Sequence, residues 1–303
     1  MVFNRLDTTE RVFEAIRQLR PRKLYVAADG PRPDNESEAE EVQAVRDHIM
    51  RRIDWDCQVQ TQFRDINLGC RKAVGDAITW FFEQEEAGII LEDDCLPDSS
   101  FFPFCAELLE RYKDNEQVMS ISGDCFQPGG GNHDASYSFS IYHHIWGWAT
   151  WRRAWRHYNP SLTNSPSLFD FSWLCTLLGS NAAARYWINI IIRYHSGLID
   201  TWDYPWLFSC WTNQGLSIVP VVNLVTNIGF DSRGTHVKQS DSPWAMYPST
   251  AMRLPLRHPL SIQRDRVTEL ASENTFLQPG KEHAVRLQWS AKGKALLRRL
   301  LAL

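Results

Sequence analysis

Three consecutive carboxylates, Glu92-Asp93-Asp94, follow directly on the apolar run Gly88-Ile89-Ile90-Leu91. Carboxylates this close at the end of a buried strand repel one another and lose solvation, which makes it costly to keep all three charged. A divalent cation removes that cost. Mg2+ and Mn2+ take oxygen ligands and are commonly held by one or two carboxylates together with substrate phosphates. Held there, the ion would act as Lewis acid and template for a departing phosphate group. Read alone, the triplet is better explained as a solvated acidic turn; an apolar strand in front of it, in a βα sheet, reverses the balance in favour of the cation.

A second carboxylate, Asp203, lies between Trp202 and Tyr204, with Pro205 close behind. Its plain reading is the cap of a helix that has proline near its start. Capping alone does not call for tryptophan neighbours. His236 falls in the glycine-containing loop Asn227-Ile-Gly-Phe-Asp-Ser-Arg-Gly-Thr-His236, where it and Arg233 are candidates for phosphate contact or for plain solvation. His143-His144 is a tempting metal pair, but neighbours on a strand point to opposite faces, so we take it as structural.

The elements that must position these groups alternate between strand and helix. Met1-Val-Phe reads as a very short strand, and Asp7 with Glu10 as a capping box for a helix striped by Val12, Ile16 and Leu19. Lys23–Ala28 is a strand ended by a Gly-Pro turn. A helix follows with Val42, Val45 and Ile49 on one face, then a half-buried strand alternating through Val59, Thr61 and Phe63. Further helices are expected over 69–84 and 101–113, and strands over 88–91 and 117–122. Strand–helix units of this length imply a mostly parallel, doubly wound α/β sheet, whose ligands sit beyond the carboxyl ends of its strands. Asp29 and the acidic triplet fall at such ends. The second half is less regular. A strand is expected over 136–145, the stretch Gly147-Trp-Ala-Thr-Trp151 leads into a short helix, and helices are expected over 182–194 and 205–214. A strand over 216–224 is interrupted by Pro220. Residues 285–303 read as a basic amphipathic helix, suited to an anionic membrane surface, to a partner, or to its own domain.

Composition excludes several classes. In 303 residues the chain is 44% hydrophobic and 22% charged, as ordinary globular proteins are, and its net charge of −4 gives no footprint for nucleic acid. Seven cysteines without a CxxC pair read as reduced thiols. No signal peptide or membrane-length apolar run is visible, so we expect a cytoplasmic protein, with peripheral contact at the inner face of the membrane open through the C-terminal helix. The 13 tryptophans are numerous, and suit either core packing or flat platforms for sugar and base rings.

Taken in order, Phe3-Asn-Arg-Leu-Asp-Thr-Thr-Glu-Arg-Val-Phe, Ala28-Asp-Gly-Pro-Arg, Asn67-Leu-Gly-Cys-Arg-Lys-Ala, Ile90-Leu-Glu-Asp-Asp-Cys-Leu-Pro, Phe101-Phe, Ser120-Ile-Ser-Gly, Trp146-Gly-Trp-Ala-Thr-Trp and Trp202-Asp-Tyr-Pro-Trp resemble the GT-A nucleotide-sugar glycosyltransferases, in particular a bacterial group similar to N-acetylglucosaminyltransferase I. The resemblance spans roughly residues 1–240. It implies a GT-A domain over 1–240 and an extension over 241–303 that ends in the basic helix. It also implies nucleotide contacts from Arg5 and Asp29, ribose and sugar contacts from Glu92 and Asp93, and a bond from Asp94 to Mn2+ or Mg2+. By the same resemblance Asp203 is the general base of an inverting transfer, Trp202 stacks near the donor sugar, and His236 is a second metal ligand. The expected donor is a UDP-sugar, first UDP-N-acetylglucosamine, and the expected acceptor a glycan or lipid-linked glycan of a cell-surface polysaccharide. A non-catalytic glycan-binding protein of the same fold is the rival reading. A sugar nucleotidyltransferase is a weaker one, because the first turn, Asn4-Arg-Leu-Asp-Thr-Thr, lacks the glycines that cradle a triphosphate.

Overall fold

The computed structural model describes residues 1–35, 37–126, 134–163, 165–230 and 247–277. Arg233, His236 and the expected C-terminal helix lie outside the described residues.

Strand–helix units build the first half: α1 (Leu6–Leu19), β1 (Lys23–Ala28), α2 (Glu38–Arg52), β2 (Gln58–Phe63), α3 (Cys70–Gln84) and β3 (Ala87–Ile90). Each helix buries the stripe its spacing dictates, Val12 and Phe13 in α1 and Val42, Val45 and Ile49 in α2. The capping box at Asp7 does not form. Helix α1 begins at Leu6 with Arg5 in the cap position, and Asp7 falls in its first turn, where its charge still opposes the helix dipole favourably.

The chain continues through β4 (Cys95–Pro97), α4 (Phe101–Arg111), β5 (Val118–Ser122), β6 (Tyr137–Ser140), β7 (Trp148–Trp151), α5 (Arg152–Trp155), α6 (Phe171–Leu178), α7 (Asn181–His195), α8 (Asp203–Thr212), β8 (Leu216–Pro220), β9 (Val225–Asn227) and α9 (Arg266–Phe276). Strands β1 and β2 form a parallel pair. A five-stranded sheet has the order β3-β7-β5-β8-β6. In it β3, β5 and β8 share one direction, whereas β7 and β6 run against them. A short antiparallel ribbon joins β4 to β9.

The fold is therefore α/β, as the alternating pattern requires, with β7 inserted between the like-directed strands β3 and β5. The sequence reading passes over β7 because all four of its residues, Trp-Ala-Thr-Trp, are buried and show no alternation. It also passes over α9, which lies on β6 through a Ser138–Thr268 hydroxyl bond of 2.8 Å and buries Glu269 under Arg264 and Arg266. The strand expected over 216–224 stops at Pro220, the last residue of β8, which stands opposite Tyr137.

Most tryptophans belong to the core. Trp148, Trp155, Trp202 and Trp206 pack together, with Trp148 stacked on Trp202 at 5.6 Å. No helix among the described residues is long and apolar enough to cross a membrane.

Candidate active site

The site is built where β3 ends. Ile90 is buried in the sheet, and the next residues turn Glu92, Asp93 and Asp94 toward the cap of α1. From that cap Arg5 donates to both Asp93 Oδ1 and Asp94 Oδ2, the latter at 2.9 Å. The β4–β9 ribbon then folds back over the pair: Cys95 lies opposite Asn227, and the Ile228 amide donates to the Asp94 carbonyl at 2.8 Å. Gly229 ends this return. A Cβ there would lie 2.2 Å from Asp94 Oδ2 and 2.7 Å from Arg5 Nη1, so only glycine lets the backbone pass so close to the ion pair.

Charge in this corner is unevenly compensated. Burial works against a charge on Arg5, but Asp93 and Asp94 outweigh it and hold the guanidinium firmly protonated. Burial, reinforced by the fields of Asp94 and Asp93, pushes the Glu92 carboxyl up to about 8. Asp93 is also raised, by burial first, despite its bond to Arg5. Its second oxygen, Oδ2, is buried without a hydrogen-bond partner. An unpartnered carboxylate oxygen in the interior is costly, and the cost is relieved by a donor or a cation brought by a ligand.

Two cavities meet here, sharing Arg5, Cys70 and Glu92 in their walls. The first, of about 360 Å3, runs from Phe3 and Asn4 past Asp29, Arg32, Arg64 and Asn67. Asp29 shapes its floor: the carboxylate accepts from the amides of Gly30, Leu68 and Gly69 at 3.0–3.2 Å, and so ties the end of β1 to the start of α3. The second, of about 240 Å3, is walled by Asp94, Trp146, Trp202, Asp203, Gly229 and Phe230 among others.

Asp203 is not a helix cap. Trp202 holds that position without a side-chain bond, and Asp203 is the first residue of α8, its Oδ1 accepting from Thr201 Oγ1 and from the Tyr204 amide at 2.8 Å. Trp202, only 2% exposed, offers the cavity little beyond an edge, because one face is stacked on Trp148.

Of the residues singled out by sequence, the structure gathers Arg5, Asp29, Glu92, Asp93, Asp94, Trp202 and Asp203 around these two cavities. The histidine pair sits elsewhere: His143 bonds Ser120 at 2.6 Å, and His144 bonds Ser272 at 2.9 Å. The walls also contain residues to which sequence assigned no role, notably Cys70, Trp146, Asp200 and Gly229. The run Trp146-Gly147-Trp148 is a visible signal for Trp146. Gly229 had none, because its value lies in a contact made across the fold.

Among the described residues no three His, Cys, Asp or Glu side chains converge on a point that could hold a metal ion. The donor set still fits a cation held mainly by its substrate. Asp94 is partly exposed in the second cavity, one side-chain ligand with diphosphate oxygens and water completing the shell, as is common for Mg2+ and Mn2+.

No protein-family model matches the sequence, and no curated protein matches it. Among solved structures the chain is similar to a mannosyltransferase from Pyrobaculum calidifontis in complex with GDP-Man and Mn2+. Identity is 15% and the TM-score 0.33, over 49% of this chain and 43% of that one, so the chain spans less than half the length of its neighbour. A likeness this distant decides neither the fold nor the activity.

Proposed function

We propose that the chain is a metal-dependent, inverting glycosyltransferase that moves a sugar from a nucleotide diphosphate donor to a glycan hydroxyl. One observation carries the reading: an acidic strand end with an unpartnered buried carboxylate oxygen stands between two joined cavities, and a second carboxylate, Asp203, faces the same cavity as Asp94.

In this reading the nucleoside occupies the 360 Å3 cavity, beside the loop that Asp29 organises. Asp93 Oδ2 accepts a hydroxyl of the ribose, and Glu92, protonated at neutral pH, donates to or accepts from the sugar. The diphosphate crosses Arg5, which is charged and common to both cavities. Asp94 is the residue that would hold Mn2+ or Mg2+, and the ion, when bound, supplies Lewis-acid neutralisation of the leaving diphosphate. His236 is a second candidate ligand. Asp203 takes the proton of the acceptor hydroxyl as that oxygen attacks the anomeric carbon; the bond to the diphosphate breaks and the electron pair leaves with it. The Thr201 hydroxyl and the Tyr204 amide hold the Asp203 carboxylate in one orientation for this step. Trp202 bounds the sugar from behind.

The proposed donor is a UDP-sugar, first UDP-N-acetylglucosamine, and the proposed acceptor a growing cell-surface glycan or its lipid-linked form, met at the cytoplasmic face of the membrane. A thermal-shift screen of UDP, GDP, CMP and dTDP and their sugars, with and without Mn2+, tests the reading, since a ligand of the native state raises Tm by mass action. Stabilisation by one nucleotide class, dependent on Mn2+ and absent in Asp94→Ala, is the expected result. Folded protein that responds to none of them at millimolar concentration would overturn the reading and leave a non-catalytic glycan-binding role ahead.

A further inference from the structure

The polar groups around the first cavity fall into two sets. Arg5, Cys70 and Glu92 also line the second cavity, and the proposed diphosphate crosses there. Phe3, Asn4, Asp29, Arg32, Arg64 and Asn67 line the first cavity and not the second, which leaves them for the base.

What each of these can still do follows from the hydrogen bonds it already makes. Asp29 is saturated. Its Oδ1 accepts from Gly30 and Leu68 and its Oδ2 from Leu68 and Gly69, which fills the roughly four lone-pair directions of a carboxylate. Asn67 is turned to the backbone on both sides, Nδ2 to the Gly30 carbonyl at 2.8 Å and Oδ1 to the Gly69 amide at 3.2 Å. Arg64 is tied to the Ala73 carbonyl at 3.3 Å and to Gln62 Oε1 at 2.8 Å.

Arg32 and Asn4 differ, and one residue holds both. Glu38, the first residue of α2, has a fully buried carboxylate. Arg32 donates to it from its backbone amide at 2.7 Å, from Nε at 3.0 Å and from Nη2. The guanidinium also lies 5.6 Å from the centre of the Phe3 ring. Asn4 Nδ2 donates to Glu38 Oε1 at 3.0 Å. A carboxylate only accepts, so Glu38 fixes the Asn4 amide with its nitrogen toward the carboxylate. Two groups then have no hydrogen-bond partner among the described residues: Arg32 Nη1, a donor, and Asn4 Oδ1, an acceptor.

We propose that Arg32 Nη1 and Asn4 Oδ1 are the base-reading pair of the donor site, selecting bases whose edge presents a carbonyl oxygen beside a ring N–H: uracil, thymine or guanine. The inference rests on the nucleotide-sugar reading above. Arg32 donates to the base carbonyl, Asn4 accepts from the ring N–H, and Phe3 flanks the base. Cytosine and adenine present an amino group beside an unprotonated ring nitrogen. Both contacts then meet their own kind, donor against donor and acceptor against acceptor, and a site built for one polarity rejects the other. Glu38 is the positioning residue, because one buried carboxylate sets both members of the pair before a nucleotide arrives.

Calorimetric titration in Mn2+ tests this by setting UDP against CDP and GDP against ADP, with Mn2+ pyrophosphate as the base-free probe. UDP and CDP differ only at the edge in question. The parent should bind UDP or GDP about tenfold tighter, or more, than its amino counterpart. Arg32→Met should bring that ratio toward unity and leave pyrophosphate affinity unchanged. Because Arg32→Met strips a buried carboxylate of its counter-charge, the Arg32→Met/Glu38→Gln double variant is measured beside it and should behave alike. A parent whose affinity for CDP and ADP equals or exceeds that for UDP and GDP would overturn the inference and leave the sugar-nucleotide reading standing. So would a folded variant that keeps the parent's ratio, or one that loses pyrophosphate as strongly as nucleotide, since Arg32 would then serve the phosphates. A folded parent that binds neither nucleotide nor Mn2+ pyrophosphate would remove the reading itself, and this inference with it.

Discussion

Two polar clusters belong to the same sheet, one past the end of β3 and one on the inner strands β5 and β8, and they differ in whether their hydrogen bonds close. In the serine–histidine cluster, Ser120 bonds His143 Nδ1 at 2.6 Å and Ser217 at 2.9 Å, Ser217 meets Ser122 at 2.9 Å, and His143 Nε2 reaches the Gly215 carbonyl at 3.3 Å. Burial holds both histidines neutral, with His143 lowered to about 3 and His144 to about 4. The acidic cluster is the opposite. One guanidinium serves two carboxylates, Asp93 Oδ2 has no partner, and Glu92 keeps its proton to near pH 8. A closed network specifies a packed core, whereas an open one at a cavity waits for a ligand. Residue type alone does not separate them: histidines look more like metal ligands than a Glu-Asp-Asp turn does, yet here they are the structural pair.

The contrast breaks most sharply at Asp203. Asp203→Asn keeps the shape of the second cavity and removes the base, so transfer to acceptor should fall by about 10²- to 10⁴-fold while nucleotide-dependent stabilisation persists. Measuring kcat beside the thermal shift checks both halves. An active Asp203→Asn enzyme would mean that proton removal is not the task of this carboxylate.

On the structural side, Ser217→Ala should do the reverse. It strips a buried hydroxyl from between Ser120 and Ser122, at a cost of about 1–3 kcal/mol in stability, with kcat per folded molecule unchanged. Denaturant unfolding gives the first number and a turnover assay the second. A large loss of kcat with intact stability would erase the distinction between the two clusters.

Much of this contrast was legible in the sequence. The apolar run into Glu92-Asp93-Asp94 locates the strand end, and the spacing of Val42, Val45 and Ile49 and of Ala73 and Ala77 gives the helices that surround it. What was not legible depends on contacts made across the chain. Arg5, expected from the resemblance to contact the nucleotide, lies 2.9 Å from Asp94, 89 positions away, a pairing the sequence does not announce. Asp29 reads as a turn former or a nucleotide contact, and its three amide partners at Gly30, Leu68 and Gly69 show what it organises. The buried strand Trp148–Trp151 has no period to betray it, and the tryptophans that suggested ring platforms are largely spent on packing one another.

Gly229 sharpens the comparison from within the acidic cluster. A methyl group at 229 collides with both members of the Arg5–Asp94 pair, so Gly229→Ala should push the carboxylate away and weaken Mn2+-dependent nucleotide binding by about tenfold, with a smaller loss of stability. Titration of nucleotide with and without Mn2+ checks this. A variant that binds normally would show that the ion pair can shift without harm to the site.

The smallest effect concerns Asp124, a carboxyl that borders the serine–histidine cluster. It accepts from the Trp146 amide at 3.2 Å and stands 3.9 Å from His144 Nδ1. Burial raises its pKa from 3.8 to about 8, against the opposing pull of the backbone amides. A carboxyl whose folded value exceeds its unfolded one favours the folded state fully only below the unfolded value. Its contribution is therefore present below about pH 4 and is lost progressively as pH rises through 8. Asp124→Asn, uncharged throughout, should remove this slope, so that its Tm falls less than the parent's between pH 5 and 8. A parallel pair of Tm curves would mean that Asp124 ionises in the folded protein with His144 as its counter-charge, and the cluster would then be an ion pair rather than a closed neutral network.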